Sequence, residues 1–333
     1  MRSSWLDDLW VALWEALENI WRKLQLFSIG LLHLLFSSDH RWPRIHDANS
    51  HRASSQLSYA AAPVKTRTKR IVFVRHAESE WNVVFNRGVW WLAGVRLLRA
   101  LVREWLLLPT FDSIFIDSPL SDRGLGQATA LGESVALAAT SAIEAPAPPP
   151  SHWLRYLGSA LPRSMVVASN LRRTIDTARI GSATRLEATA ERIHVLSCLQ
   201  EVGRNIDTLA ISDAYSLPPR TLSAILEREK HREELFNVSE SHGNKAILGC
   251  ARARLLAFAN WTFSQDHLDV LVVYGHSHWF RAFCQEFFPP DYDHPVKTEK
   301  LANCGVVTFE FQERRIDGHT TFGILPTSFE YIR

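Results

Sequence analysis

Ile71-Val72-Phe73-Val74-Arg75-His76-Ala77-Glu78-Ser79-Glu80-Trp81-Asn82 opens with four consecutive apolar residues, β-branched or aromatic, and then turns charged. Such a short unbroken apolar run is the pattern of a strand buried on both faces, as in a parallel sheet. The charged residues then fall at the strand's carboxyl end. Similar runs recur at 165–169, 193–196, 269–275 and 306–311, separated by helical stretches such as 127–139 and 246–263. This alternation predicts an α/β domain: three layers, α/β/α, around a mostly parallel central sheet. Ligands bind outside the carboxyl ends of such strands, and three runs end on candidate chemistry: Arg75-His76, Ser169 with Arg172-Arg173, and His276. One site is expected there.

Composition narrows the function classes. A chain of 333 residues suits one large domain with appended segments. Lys plus Arg (37) nearly balance Asp plus Glu (35), so no general basic surface for nucleic acid is expected. The cysteines Cys198, Cys250, Cys284 and Cys304 are widely spaced without a CxxC pair, which argues against a disulfide framework and a structural zinc site. There is no Gly-rich phosphate loop, HExxH or EF-hand pattern, so neither a cofactor nor a metal is expected.

The first motif has company in a fixed order. Pro119-Leu120-Ser121 precedes Gly124 and Gln127-Ala128; Ser169-Asn170-Leu171-Arg172-Arg173-Thr174 precedes Thr177-Ala178; then come Leu199-Gln200-Glu201 and Gly275-His276 with Arg281. In these five blocks the sequence resembles the histidine phosphatase superfamily, the phosphoglycerate mutase-like family, over about residues 70 to 312. Its RHGESxWN, LSxxGxxQA, SxLxRAxxTA, LxE and HGxxxR motifs are met here by RHAESEWN, LSDRGLGQA, SNLRRTIDTA, LQE and HSHWFR.

The resemblance implies a phosphoglycerate mutase-like fold and a covalent phosphohistidine mechanism. His76 is the implied nucleophile, and a neutral imidazole suits that role because it splits one difficult transfer into two easier ones. Charge spreads over three equatorial oxygens in phosphoryl transfer, so fixed positive donors are needed, and Arg75, Arg173 and a protonated His276 are expected to supply them. Asn82 and Ser79 are candidates for further phosphate contacts. The spacing Ser-x-Leu-x-Arg selects Arg173, leaving Arg172 for a surface contact. Glu201 maps to the family's general acid, protonated when it acts and then able to deprotonate the hydrolytic water. Glu78 is expected to be structural, and Arg204, Asn205 and Asp207 are placed toward the substrate end.

Ala77 stands where the family usually has Gly, and the long ERHYG-type segment of the cofactor-dependent mutases has no counterpart after Glu201. Mutase activity is therefore disfavoured. The expected function is a phosphoric monoester hydrolase acting on a small phosphorylated substrate; the alternative is a catalytically weak relative serving as a phospho-ligand or membrane-associated module. Retention of Arg75, His76, Arg173, Glu201 and His276 together favours the enzyme.

The flanks carry a different signal. Trp10, Trp14, Leu17, Trp21 and Leu24 recur at helical spacing with Asp8, Glu15, Glu18 and Arg22 on another face, predicting an amphipathic N-terminal helix within 1–36. Its most apolar run, 24–36, makes only about 20 Å of helix and does not comfortably span a bilayer. Residues 37–70 read as a polar linker before a phosphatase domain at 71–333, within which 83–118 is a helical insertion and 139–152 a Pro/Ala-rich loop. In the insertion, Arg96, Arg99 and Arg103 share one stripe and Trp91, Leu98 and Trp105 another. Segments 5–36 and 89–108 therefore suggest a membrane surface as partner, a helix docked on its own domain being the plainer option. Acidic residues precede the apolar run, unlike a secretory signal, so a cytoplasmic protein, peripheral at a membrane, is expected.

Overall fold

The computed structural model describes residues 4–39, 65–88, 90–141, 151–159, 161–219, 232–316 and 319–333. Among them one sheet contains β1 (Lys65–Arg75), β2 (Ser164–Ser169), β3 (Ile193–Leu196), β4 (Phe236–Asn237), β5 (Val270–Gly275), β6 (Val306–Ile316), β7 (His319–Ile324) and β8 (Glu330–Tyr331). The spatial order is β4-β3-β2-β5-β1-β6-β7, with β8 on β6. From β4 to β1 all neighbours are parallel, while β6 runs antiparallel to β1, β7 and β8. The helices that build and flank the site are α1 (Ser4–Phe36), α2 (Glu80–Phe85), α3 (Ala93–Leu107), α4 (Asp122–Ser141), α5 (Arg172–Gly181), α6 (Ala251–Ser264) and α7 (Ser277–Phe287).

Alternation along β1 sorts the core into two halves, because successive side chains leave a strand on opposite faces. Ile71 and Phe73 pack with Leu255 and Phe258 of α6 and Phe280 and Phe283 of α7. Val72 and Val74 pack with Leu131 and Val135 of α4 and Ile175 and Ala178 of α5. The three-layer α/β/α architecture expected from the apolar runs is the one observed. Each such side chain stabilises the fold by about 1.5–3 kcal/mol through burial, which sets the strand ends on a rigid frame.

Two boundaries differ from the sequence reading. Residues 65–70, taken there as linker, extend β1 and pair with β6 from Lys65 opposite Arg315 onward. The segment looks like a linker because it is charged, yet Arg67 meets Glu313 at 2.7 Å and Arg70 meets Glu310 at 2.6 Å across the ladder. Opposite charges on the partner strand make a basic segment a good strand. At the other end Ser37 and Asp39 are buried in the domain. The remainder of the linker and residues 142–150 of the Pro/Ala-rich loop lie outside the described residues.

The N-terminal segment is one uninterrupted helix of 33 residues, about 50 Å long. Its second half docks through Lys23, Leu26, Gly30 and His33, all buried. Lys23 Nζ donates to the Leu107 carbonyl at 2.6 Å and also to that of Asp112. At Gly30 a Cβ would lie 2.9 Å from Cγ1 of Ile206, so the missing side chain permits this close approach. The first half, from Trp5 to Leu17, is exposed almost throughout. Among the described residues, no helix is long and apolar enough to cross a membrane.

Candidate active site

The carboxyl ends of β1, β2, β3 and β5 bring together Arg75, His76, Arg173, Glu201 and His276. The rings of His76 and His276 lie 5.1 Å apart. His76, His276 and Arg173 are each at most 4% exposed. The His76 Nδ1 sits 2.6 Å from the Ala77 carbonyl. A carbonyl only accepts, so Nδ1 carries the proton and Nε2 keeps its lone pair. Ala77 adopts no left-handed backbone, which is why Ala serves in place of Gly. Burial first, then the charges of Arg173 and Arg75, push the His76 pKa well below 6.5. The imidazole is therefore neutral and nucleophilic at Nε2.

The other motifs hold this loop in shape. Gln127 Oε1 accepts from Glu78 N at 2.9 Å, and Ser121 Oγ donates to Glu78 Oε2 at 3.0 Å, giving Glu78 the structural role expected of it. At Gly124 a Cβ would stand 2.0 Å from the Glu78 carbonyl oxygen, so only glycine allows α4 to start there. Thr177 Oγ1 accepts from Ala77 N at 3.1 Å and donates to the Arg173 carbonyl at 2.6 Å, linking the His76 loop to α5. Asn303 Nδ2 donates to the His76 carbonyl at 3.0 Å. Replacing Thr177 by Val keeps the shape and strands a buried N–H, so a loss of about 1–3 kcal/mol in urea unfolding is expected. An unchanged midpoint would remove Thr177 from this scaffold.

The positive groups are set from different elements. Arg173 Nη1 donates to the Asp207 carbonyl at 2.8 Å, and Nη2 lies 3.6 Å from Asp207 Oδ2. Asp207, assigned to the substrate end from sequence, thus orients the arginine. Burial raises its carboxyl to about 6 against the lowering pull of Arg173, and its Oδ1 is buried without a hydrogen-bond partner. Arg75 donates through Nη1 to the Leu301 carbonyl, leaving a buried Nε with no partner.

Three sequence expectations need correction. Arg172 does not reach the surface: it is 1% exposed and donates to Asp112 Oδ1 at 2.5 Å and to the carbonyls of Asp117 and Ser113 at 2.7 Å. The adjacent arginines do diverge, but Arg172 diverges into the insertion's return, residues 112–117. His276 is not protonated in the resting protein, because burial, then Arg173, His76 and Arg75, hold its pKa well below 6.5. Its Nε2 meets Ser169 Oγ at 2.9 Å, and Nδ1 is buried without a partner. Ser79 is an N-cap: its hydroxyl donates to Asn82 Oδ1 at 2.7 Å and accepts from Asn82 N in a capping box that starts α2. Ser79 and Asn82 thus bond each other, and of this pair the Asn82 amide nitrogen is what remains for an anion.

Glu201 Oε1 accepts from Val202 N at 2.9 Å and from Trp279 N, at the start of α7, at 2.8 Å. Both bonds fall on Oε1 and fix the orientation of the carboxyl group. The loop behind it is pinned by a group no motif signals. Lys245 Nζ donates to the carbonyls of Glu201 at 2.8 Å and Gly203 at 2.6 Å and to Asp39 Oδ2 at 2.9 Å. Arg254 Nη1 also reaches Asp39 Oδ1, at 2.7 Å, and Gly203 N donates to Asp39 Oδ2 at 3.1 Å. Lone Lys and Asp residues in segments far apart carry no local pattern, so sequence reading passed over them.

No protein-family model and no curated protein matches the chain. Among solved structures it is similar to a mycobacterial glucosyl-3-phosphoglycerate phosphatase, at 14% identity over 77% of this chain and 97% of that one, TM-score 0.37. A mutant phosphoserine phosphatase from Entamoeba histolytica matches at 14% identity over 78% and 95%, TM-score 0.34. A protein described as mycobacterial hydrolase 1 matches at 15% identity over 77% and 97%, TM-score 0.36.

Proposed function

We propose that the chain is a phosphatase of the histidine phosphatase superfamily, hydrolysing a small phosphate monoester without a metal through a phosphohistidine on His76. The observation that carries this reading is the fixed tautomer of His76, whose Nδ1–H is committed to the Ala77 carbonyl beside two arginines and a second histidine. Nε2 attacks phosphorus in line, the P–O bond to the leaving group breaks, and Glu201 Oε2 delivers the proton that the departing oxygen needs. Arg75 Nε, Arg173 and the Nδ1 of His276 donate to the equatorial oxygens. His276 acts there as a neutral hydrogen-bond donor. The carboxylate left on Glu201 then takes a proton from water, whose oxygen attacks phosphorus and releases His76. Removing one preorganised donor of this kind costs about 10²–10³ in rate.

The test is turnover of an aryl phosphate in excess EDTA, followed by an alkaline quench and mass-spectrometric mapping of phosphoryl groups. Chelator-resistant release with phosphate on His76 is expected; loss of activity in EDTA, or phosphate on another residue, would overturn the mechanism. The histidines also fix a sign for pH. Both are held neutral well below 6.5, so the phosphorylation rate should not fall between pH 7 and about 5.5. A decline with an apparent pKa near 6.5 would contradict a buried neutral nucleophile. The same depressed values make the unfolded state the better proton binder below 6.5, so stability declines as pH falls from there, and circular dichroism must show an intact fold at each pH.

A further inference from the structure

Large hydrophobic side chains left in solvent are concentrated on two neighbouring helices. Among the described residues, fifteen lie on α1 and seven between Trp91 and Leu106, against six elsewhere. On α1, Leu6, Trp10, Leu13, Leu17, Trp21 and Leu24 recur every three or four residues in one stripe, opposite the face that docks through Lys23, Leu26 and Gly30. On α3, Val95, Leu98, Val102 and Trp105 face outward, opposite the buried Ala100 and Glu104. The helices touch where Asn19 Nδ2 donates to the Pro109 carbonyl at 3.3 Å and Lys23 Nζ to that of Leu107. The two helices that carry the exposed stripes are therefore neighbours in the fold.

We propose that α1 and α3 together seat the protein on the surface of a zwitterionic phospholipid bilayer, with α1 lying in the plane of the interface. Three observations select a bilayer as the occupant. At 100° per residue, Trp5, Leu9, Trp10 and Val11 spread over about two-thirds of the helix circumference, more than a flat protein face covers and suited to a helix sunk into an interface. Trp5, Trp10, Trp14, Trp21, Trp91 and Trp105 are each more than 60% exposed, and an indole ring prefers the headgroup level, where its apolar body and its N–H are both satisfied. Finally, both signs of charge border the stripes. Arg99 and Arg103 flank that of α3, while Asp7 and Glu18 lie beside that of α1. Zwitterionic headgroups carry both complementary charges. A strongly anionic surface would repel the α1 carboxylates, and α1 does not cross, because no stretch of it is apolar enough for a span.

The experiment is sedimentation of the full chain with sucrose-loaded phosphatidylcholine vesicles, compared with a variant carrying Trp10→Glu, Trp14→Glu, Leu98→Glu and Trp105→Glu. These positions are exposed and outside the catalytic groups, so circular dichroism and aryl-phosphate turnover should be unchanged. The wild type should pellet with vesicles, with an affinity little altered between about 0.05 and 0.5 M salt, since apolar burial rather than net charge drives it. The variant's partition coefficient should fall at least about tenfold, each apolar side chain lost from the interface being worth a factor of that order. A wild type that stays in the supernatant, or a variant that pellets equally well, overturns the proposal. So does binding confined to anionic vesicles and abolished by salt. A dimer that dissociates in the variant, without vesicle binding, assigns the face to a second copy instead. Because no turnover is needed, the outcome is independent of the phosphatase reading.

Discussion

Substituting His76 by Ala is expected to lower phosphate release from an aryl phosphate by at least about 10³-fold and to abolish the phosphorylated intermediate, with little change in the unfolding midpoint. The expectation rests on one nitrogen. The Ala77 carbonyl leaves Nε2 as the unprotonated position, and the only other imidazole of the cluster, His276, has its Nε2 engaged with Ser169 Oγ. No second nucleophile of the cluster is therefore poised to substitute. The variant should still bind the substrate, because Arg75 and Arg173 are held by the Leu301 and Asp207 carbonyls and not by His76. Rapid-quench kinetics with isothermal titration separates the two quantities. Retained turnover in the variant would remove His76 from the chemistry, whereas loss of binding as well would mean that the ring shapes the pocket more than it attacks.

The largest stability effect is expected at Asp39, beyond the end of α1. It is paired with Lys245 and Arg254, and both it and Lys245 are 1% exposed at the side chain. Burial alone would raise its pKa, but the Arg254 hydrogen bond and both cations overrule it and hold the carboxyl at about 2. For the Lys245 ammonium burial outweighs the raising pull of Asp39 and Glu201, with Arg254 adding to the drop, and its pKa falls to about 8. The carboxylate thus gains from the triad while the ammonium bears its cost. Asp39→Ala leaves two cations buried without a counter-charge and Gly203 N without its acceptor, an expected loss of about 3–5 kcal/mol. Thermal melts should fall by about 5–15 °C. Asp39→Asn retains an acceptor and should fall less. The pH sign follows from the same shift: Asp39 contributes about 2 kcal/mol above pH 4, lost as pH falls toward 2. A melting temperature within 2 °C of wild type would show that α1 is not coupled to the Glu201 loop.

Much of the site was legible because its information is local. Arg75-His76, Arg173 and His276 each follow an apolar run, and a strand's carboxyl end is recognisable from a few consecutive residues. Glu201 and Gln127 stand in short blocks that resemble the family's LxE and LSxxGxxQA motifs, and the resemblance is what singles them out. Lys245 and Asp39 had no such block: they are 206 positions apart and meet only after the domain has closed. Residues 65–70 were misread for the same reason, since a charged strand is recognisable only beside the oppositely charged strand it pairs with.

The sequence by itself determined the layered α/β frame, the strands that end on Arg75-His76, Ser169 and His276, and the apolar stripes of α1 and α3, because each is encoded by periodicity within one element. Only the tertiary structure decided that Arg172 is buried against residues 112–117, that His276 rests neutral, that Ser79 caps a helix, and that α1 is tied through Asp39 to the loop of Glu201. Those outcomes depend on burial and on partners distant in sequence. Desolvation and pairing exist only once the chain is packed.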